Sequence, residues 1–520
     1  MARKNEIPKL FDNQYTKAKQ AKFERIKELG KTPYPNSSKI DKRTILAKDF
    51  LEKYSHIQDE VGDTNVSETM VGRVKLHRDM GKAGFLNIVD PSGNIQGFIS
   101  RDESEDFAFF KKGCLDTGDI VSMTGFPFMT KTGELTLRIL KFSIVAKSTA
   151  TPIGKHAGLQ DEETKYRKRY LDMISNEDVL EKLITRSKIE SIISTFFVKK
   201  DFLSVRTPML NSIPGGANAR PFVTFHNALD AERYLRIAPE LYLKRLVVGG
   251  MEKVFEMNQC FRNEGVDATH NPEFTSIEFY EAYATYKEHM KMIEKLFKKI
   301  YRKVKGNKDY ILDYSRAEVL NDQEEVVTPA IDMSIDLNEW NRIPFREALI
   351  TIGNIPEDVI DDVEPLSMYL REQGSEKANG TLPLGKLWEI AFDDFVEDKL
   401  INPTFITEYP ADISPLARRM DKNPSLTERF ELFVAGRELA NGFNELNDPF
   451  DQYERFEAQV NGKDLDDEDD ESMHMDEDFI EALMNAMPPT AGTGIGIDRL
   501  VMLFTNSHTI RDIIAFPAMK

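Results

Sequence analysis

The sequence predicts an α+β protein in which a small β-barrel domain precedes a larger domain of helices and strands. Residues 66–147 contain short apolar runs separated by turns, residues 179–200 repeat apolar side chains at helical spacing, and residues 492–499 read as a glycine-rich strand. At 520 residues with 41% hydrophobic content, the chain is long enough for two or three hydrophobic cores.

Residues 66–147 are predicted to form a five-stranded barrel. Alternating and apolar segments, separated by Pro-Ser-Gly-Asn and Lys-Thr-Gly-Glu turns, predict strands at 71–77, 84–89, 96–100, 119–126 and 134–140. Five short strands of this kind suggest an OB-fold. Such barrels bind single-stranded nucleic acid by stacking bases on aromatic side chains beside a basic groove.

Residues 1–65, before the barrel, are predicted as a basic helical extension with a linker. The first 31 residues carry nine Lys/Arg against four Asp/Glu, a net charge of +5 in a chain whose total is −18. A helix there would present its charge to phosphates, although a solubilising tail would have the same composition. We find no long apolar stretch that predicts a secretory signal or membrane anchor, and two cysteines suit a reducing cytosol, so we expect a cytoplasmic protein.

After a linker at 148–180, the larger domain is predicted to fill residues 181–520. Ile189, Ile193 and Phe197 recur at helical spacing within 179–200, and residues 202–208 then read as a strand that ends in proline. The same pattern fits an ordinary amphipathic helix packed on a sheet.

Two segments of the larger domain have no assigned role. Residues 314–400 read as containing a mostly helical insertion. Ten of the fifteen residues in 464–478 are acidic, which predicts a solvated loop or a fraying helix.

Two arginines in separate motifs suggest a phosphate site. Arg262 lies in Phe-Arg-Asn-Glu at 261–264, with Phe274 ten residues farther on, and Arg499 closes Gly-Thr-Gly-Ile-Gly-Ile-Asp-Arg at 492–499. A guanidinium is always charged and presents a fork of donors, so it suits charge that develops on phosphate oxygens. Alternate glycines alone are more often a packing feature, but the two motifs together favour a nucleotide site.

Together these elements resemble the three motifs of class II aminoacyl-tRNA synthetases. Residues 179–208 match the first motif, residues 261–274 the second and residues 492–499 the third. The resemblance implies a catalytic domain with an antiparallel sheet flanked by helices, adenylate formation from ATP, and a homodimer built through the first motif. The family usually has a glycine before the first-motif strand, where this chain has Asp201.

The finer similarity is to the lysyl branch of that family and runs from about residue 66 to residue 520. It rests on segments 158–161, 166–172, 215–222, 236–244 and 436–448. It implies that L-lysine and ATP react to give lysyl-adenylate and pyrophosphate, and that lysine is then transferred to the 3′ end of tRNA(Lys).

The chemistry of the matched segments also supports lysine. A lysine ligand carries two ammonium groups, and burying each requires an acidic partner. The resemblance places Glu240 and Glu278 near the α-amino group, and Glu445 with Tyr280 at the side-chain ammonium. These segments offer no obvious basic residue to face an aspartate side chain. The residues expected to bind lysine are Gly216, Glu240, Glu278, Tyr280, Asn441, Phe443, Glu445, Gly494 and Gly496.

The resemblance also assigns the nucleotide site. Arg262 would hold the α-phosphate, Phe274 would stack on adenine and Arg499 would bind the terminal phosphate, so the two arginines are the expected catalytic residues. The residues expected to bind ATP are Arg262, Glu264, His270, Asn271, Phe274, Glu431, Glu438 and Arg499.

Glu431 and Glu438 are the expected ligands of Mg²⁺, by resemblance to the family. Hard carboxylate oxygens together with phosphate oxygens suit a small divalent cation. The alternative is a surface ion pair with Arg437 or Arg429.

In the barrel, resemblance to the anticodon domain of the lysyl branch assigns three residues. Phe85 would stack on a uridine, and Gln96 and Glu134 would read base edges of a U-rich anticodon. Phe85 as part of the barrel core is an equally open interpretation, because aromatic strand residues usually pack inward.

The sequence therefore predicts lysine activation and transfer to tRNA, with two rival hypotheses. One is another class II enzyme, specific for aspartate or asparagine or able to lysylate a protein; the acidic residues oppose the first two and the barrel opposes the third. The other is a catalytically silent RNA-binding paralogue, which the intact pairs Arg262 and Arg499, and Glu431 and Glu438, oppose.

Overall fold

The computed structural model describes residues 14–150, 159, 161–316, 319–320, 326–328, 330–375, 377–378, 380–461 and 475–519. The chain divides into two compact units, Met1–Gly158 and Leu159–Lys520. The start of the basic arm (1–13), residues 158 and 160 of a matched segment, and residues 464–474 of the acidic segment lie outside the described residues.

The first unit contains the predicted OB-fold barrel. Its elements are α1 (Gln14–Glu28), α2 (Ala47–Lys53), β1 (Glu68–Asp79), β2 (Ala83–Asp90), β3 (Gly93–Ser100), α3 (Phe107–Phe109), β4 (Ile120–Met129) and β5 (Leu135–Ala146). The strands close in the order β1-β2-β3-β5-β4, and the β3–β5 pair is parallel. Alternation along β2 places Leu86 and Ile88 in the core and Phe85 on the outer face.

The second unit combines one large sheet with helices. Its elements are α4 (Glu162–Arg167), α5 (Arg169–Ser175), α6 (Glu177–Val198), β6 (Leu203–Ser204), β7 (Leu210–Asn211), β8 (Val223–His226), β9 (Ala231–Leu235), α7 (Glu240–Val248), β10 (Lys253–Phe261), β11 (Glu273–Ala282), α8 (Tyr286–Val304), β12 (Ile311–Arg316), β13 (Val319–Leu320), β14 (Val326–Thr328), β15 (Ile331–Asp336), β16 (Asn341–Pro344), α9 (Phe345–Thr351), α10 (Val363–Glu372), α11 (Leu384–Phe395), β17 (Thr404–Thr407), β18 (Arg429–Phe433), β19 (Glu438–Asn444), α12 (Pro449–Asn461), α13 (Glu477–Met484), β20 (Thr490–Gly496), α14 (Ile497–Thr505) and α15 (Ile510–Ile513).

The large sheet has eight strands in the order β16-β17-β18-β19-β20-β11-β10-β6. Its interior pairs are antiparallel, and the two edge pairs, β16–β17 and β10–β6, are parallel. Side chains alternate across it, so Ile277 and Phe279 of β11 enter the core shared with α6, α8 and α14. Glu278 and Tyr280 consequently point to the opposite face, where a cavity opens.

The first predicted motif is a long helix followed by a strand that is shorter than expected. Helix α6 is present, but β6 covers only two residues and pairs in parallel with β10. Beyond it, Thr207 is held by a side chain instead of a strand ladder, because its N–H and hydroxyl both donate to Glu256 Oε2. Asp201 has a φ of 66°, the left-handed region that glycine favours and aspartate tolerates, so the turn before the strand is kept.

Two predicted segments differ from the structure in detail. The predicted linker at 148–180 includes α4 and α5, and the buried Arg169 of α5 donates to the backbone carbonyls of Arg511, Asp512 and Ile514. The segment 314–400 is predicted to be mostly helical. It contains strands as far as 344, among which β12 and β15 form an antiparallel pair, and helices from 345 onward.

Candidate active site

A cavity of about 260 Å³ lies on the open face of the large sheet, over β10, β11, β19 and β20. Alternation explains part of its lining, since Ser276, Glu278 and Tyr280 are alternate residues of β11. It brings together sequence-predicted residues that are far apart in the chain: Gly216, Glu240, Arg262, Glu264, His270, Asn271, Phe274, Glu278, Tyr280, Glu438, Asn441, Phe443, Glu445, Gly494, Gly496 and Arg499. Glu431 does not line it.

One end of the cavity carries the first arginine and an aromatic ring. Arg262 follows the end of β10, and its guanidinium carbon lies 5.1 Å from the ring centre of Phe274. The antiparallel register pairs Cys260 with Phe274, which fixes this proximity. Arg262 Nε is buried and donates to no acceptor within the described ranges. The guanidinium therefore retains donor capacity toward the cavity.

The second arginine, Arg499, begins α14 on the same cavity wall. Its Nη1 donates to the Glu438 carbonyl oxygen at 2.9 Å, and its Nη2 lies 3.2 Å from His270 Nε2. Because arginine only donates, His270 Nε2 accepts and its Nδ1–H donates to Asp267 Oδ2 at 2.7 Å. The two predicted phosphate-binding arginines thus share one cavity, and His270 orients the second.

The other end of the cavity is acidic. Glu278 lies beside Tyr280, whose hydroxyl donates to Glu278 Oε2 at 3.1 Å. Burial, with added repulsion from Glu240, raises the pKa of Glu278 to about 8. Burial also raises the pKa of Glu445 well above its ordinary range. The ion pair with Lys244 opposes the shift at Glu445, whereas Glu278 binds a cationic ligand by releasing its proton.

Glu445 is fully buried, and its Oε1 accepts no hydrogen bond from the described part of the chain. A Cβ added at Gly492 would stand 2.0 Å from Glu445 Oε1, so the absence of a side chain there makes room for this oxygen. Behind the lining, the ammonium of Lys244 is in ion-pair contact with Glu445 Oε2 and lies 2.6 Å from Glu240 Oε1.

The predicted metal ligand Glu431 is held by two neighbouring side chains. Glu431 accepts from Tyr409 Oη at 2.8 Å and forms an ion pair with Arg429 at 2.5 Å, which is one of the pairings that the sequence left open. Burial raises the pKa of Glu431 to about 7, Arg429 opposes the shift, and repulsion from Glu438 adds to it. Within the described ranges, no group of three or more His, Cys, Asp or Glu side chains is placed to hold a metal ion.

The barrel carries a separate candidate surface on its outer face. Phe85 is only partly buried and lies outside the barrel core, with its ring centre 5.0 Å from that of Phe98. Arg138 stacks near Phe98 at 5.6 Å, and Gln96 donates to Thr136 Oγ1 at 3.0 Å. The predicted Glu134 is exposed and lies directly before β5.

Sequence reasoning missed four residues of these sites. Lys244 follows Glu240 by one helical turn, which was a usable signal, and Gly492 is the first glycine of a motif in which only the second and third were assigned. Phe98 and Arg138 join Phe85 only through the pairing of β2 with β3 and β3 with β5.

Of the helices in the described ranges, none is long and apolar enough to cross a membrane.

Comparison with known proteins identifies both domains. Residues 161–520 match the family described as tRNA synthetases class II (D, K and N), and residues 68–145 match the OB-fold nucleic acid binding domain. A lysine–tRNA ligase of Wolinella succinogenes is 50% identical over 515 residues, which covers 98% of this chain and 97% of the relative. Lysine–tRNA ligases of Helicobacter pylori strain P12 (50% identical, 98% of each chain) and Helicobacter hepaticus (48% identical, 98% of this chain and 95% of the relative) are similarly close.

Proposed function

This chain belongs to the lysine–tRNA ligases, within the class II tRNA synthetases. From that premise we propose that its cavity activates lysine and that its barrel binds the anticodon of tRNA. The reaction is the ligation of lysine to tRNA at the expense of ATP. The observation that carries the proposal is a single cavity with carboxylates at one end and two arginines at the other.

The acidic end binds lysine. Glu240 and Glu278 receive the α-ammonium, and Glu445 with Tyr280 receives the side-chain ammonium. Support comes from Glu445 Oε1, a buried oxygen that a ligand ammonium would satisfy, and from the clearance left by Gly492. Gly216, Gly494 and Gly496 leave space for the ligand along the backbone, and Asn441 and Phe443 complete the wall.

The arginine end binds ATP. Phe274 stacks on adenine, Arg262 contacts the α-phosphate and Arg499 the terminal phosphate, with Glu264, His270 and Asn271 around them. The free donor capacity of Arg262 and the orientation of Arg499 by His270 support these roles. An aspartate-specific enzyme is a poorer fit, because the described residues that line the acidic end include no basic side chain to face a second carboxylate.

Glu431 and Glu438 hold Mg²⁺ when ATP is bound. The pair fits a divalent cation because burial and repulsion from Glu438 disfavour the charge of Glu431, and a cation relieves both. The metal, when bound, neutralises phosphate charge; phosphate oxygens and water would supply the remaining ligands that two carboxylates leave open.

Positioning and electrostatics are sufficient for the first step. The lysine carboxylate oxygen bonds to the α-phosphorus as the bond to the bridging oxygen breaks, and pyrophosphate leaves. Arg262 stabilises charge on the α-phosphoryl oxygens. In the second step a terminal ribose hydroxyl of tRNA attacks the activated carbonyl and releases AMP; adenylate phosphate oxygens serve as acceptors for its proton.

The outer face of the barrel reads the anticodon of tRNA(Lys). Phe85 and Phe98 offer a stacking surface, Arg138 adds a cation beside it, and Gln96 and Glu134 contact base edges. This division predicts that tRNA charging and lysine activation respond to different substitutions. A silent RNA-binding paralogue would bind tRNA but would neither exchange pyrophosphate nor charge it.

The catalytic unit acts as a homodimer. Apolar side chains around β6 to β8 are about half exposed, a pattern typical of a surface that a partner covers. They are Val198, Leu203, Leu210, Val223 and Phe225. Light scattering after gel filtration should give twice the 59.5 kDa chain mass, and Phe225→Asp should lower it; a fully active wild-type monomer would refute this part of the proposal.

The test of the whole proposal is lysylation of tRNA(Lys) in the presence of lysine, ATP and Mg²⁺. Wild-type protein should form acid-precipitable lysyl-tRNA, and Arg262→Ala should not. Binding of tRNA without charging would favour the paralogue hypothesis instead.

A further inference from the structure

Lys244 is a buried cation directly behind the acidic end of the cavity. It lies one turn into α7, and its side chain is fully buried. Its Nζ is 2.6 Å from Glu240 Oε1, in ion-pair contact with Glu445 Oε2, and 5.4 Å from the ring centre of Phe443. It thus bridges a carboxylate proposed for the α-ammonium to one proposed for the side-chain ammonium.

A lysine side chain is an unexpected residue to place here on stability grounds. Burying an ion pair is often no better than a well-packed apolar residue of the same volume, and methionine would fill this space. A fixed cation also repels a ligand that is itself cationic. We therefore expect Lys244 to have a role in the site.

The surroundings of Glu445 identify that role. The groups in the described part of the chain that face it are Lys244, Glu240, Glu278 and Tyr280, so Lys244 is a cation beside two further acids and a phenol. Burial raises the pKa of Glu445, and Lys244 opposes that shift. Lys244 contacts Oε2, while Oε1 lies on the side of Gly492, which lines the cavity together with Glu445.

We propose that Lys244 is a positioning residue that holds Glu445 as an anion, with one oxygen fixed and the other presented to the side-chain ammonium of the substrate. This inference rests on the proposed lysine site. Through Glu445, Lys244 favours a ligand with a terminal cation over a neutral side chain of the same length. Because Lys244 does not line the cavity, it acts without touching the substrate.

The test compares Lys244→Met with the matched control Lys295→Met, an exposed lysine of α8, in lysine-dependent pyrophosphate–ATP exchange. Lys244→Met should raise the KM for lysine roughly 100-fold at pH 7. The KM for ATP should stay within about threefold. The defect should shrink as the pH rises, because a higher pH favours the ionised form of Glu445. The control should match wild type.

A double-variant cycle distinguishes positioning from a general structural role. If Lys244 acts through Glu445, adding Lys244→Met to Glu445→Gln should change the KM for lysine less than about threefold. This double variant also removes the charge of Glu445 that Lys244→Met leaves unpaired, so it serves as the test if Lys244→Met does not fold. Additive effects, or equal losses for lysine and ATP with no pH dependence, would overturn the inference.

Failure of the underlying proposal gives a different result. Wild-type protein that shows no lysine-dependent exchange would overturn the proposed lysine site. Wild-type exchange with an unaffected Lys244→Met variant would overturn only the role of Lys244.

Discussion

Gly492→Ala is expected to disable lysine recognition while ATP recognition survives. The added Cβ would stand 2.0 Å from Glu445 Oε1 and 2.4 Å from Tyr280 Cε1. An ordinary contact begins near 3.4 Å, so one partner must move by about 1.4 Å, the difference between 3.4 and 2.0. Both neighbours are buried, and Glu445 is held by Lys244, so neither can swing into solvent.

The magnitude follows from the displacement. Misplacing a binding group by about 1 Å costs on the order of 100-fold in rate, so kcat/KM for lysine should fall about 100-fold, mainly through KM. Overpacking should lower the free energy of unfolding by about 1–3 kcal/mol, which leaves the protein folded. The KM for ATP should change less than about threefold, because Arg262 and Phe274 lie at the other end of the cavity.

The assay is pyrophosphate–ATP exchange with lysine or ATP varied, together with thermal unfolding. Gly380→Ala is the matched control, because the atom nearest to its added Cβ is 3.9 Å away, so this variant should behave as wild type. A Gly492→Ala protein that uses lysine within threefold of wild type would refute the assignment of Glu445 and Tyr280 to the lysine site.

Three further predictions follow from the same geometry. Burial raises the pKa of Glu278 to about 8, and an ammonium binds the ionised carboxylate. The KM for lysine should therefore fall by up to about tenfold per pH unit between pH 6 and 8 and then level off. A flat profile would contradict the placement of Glu278 in the lysine site. Arg262→Ala should lower kcat for exchange about 100- to 1,000-fold with little change in the lysine dissociation constant, measured by calorimetry; a loss confined to lysine binding would contradict its phosphate role. Phe85→Ala should lower kcat/KM for tRNA roughly 5- to 150-fold and leave exchange unchanged, whereas loss of exchange would indicate a folding defect.

The fold was largely predictable because its signals are local. Strand alternation and turns in residues 66–147 predicted the OB-fold barrel, and that prediction is confirmed, as is the class II catalytic fold. Asp201 shows how a departure from the family pattern can be harmless, since aspartate adopts the left-handed turn in place of glycine. The short β6 was not predictable, because side-chain hydrogen bonds to Thr207 replace the ladder.

The lining of the candidate site could be named in large part from the sequence. Arginines for phosphate and glutamates for ammonium groups were named from their chemistry together with the family resemblance, and the structure brings them into one cavity. Lys244 was missed because a lysine side chain is not expected beside a site that binds lysine. Its role depends on contacts with Glu240 and with Glu445, which is 201 residues away in the sequence. The pairing of Glu431 with Arg429 and the outward position of Phe85 depend on side-chain directions that the sequence left open.

Amino-acid-dependent pyrophosphate–ATP exchange, measured across the full set of amino acids with Arg262→Ala as the blank, tests the central claim most directly. The acidic cavity predicts exchange with lysine alone and none in the blank. Exchange driven by a different amino acid would contradict the assignment of Glu240, Glu278 and Glu445, and no exchange with any amino acid would contradict adenylation by this cavity.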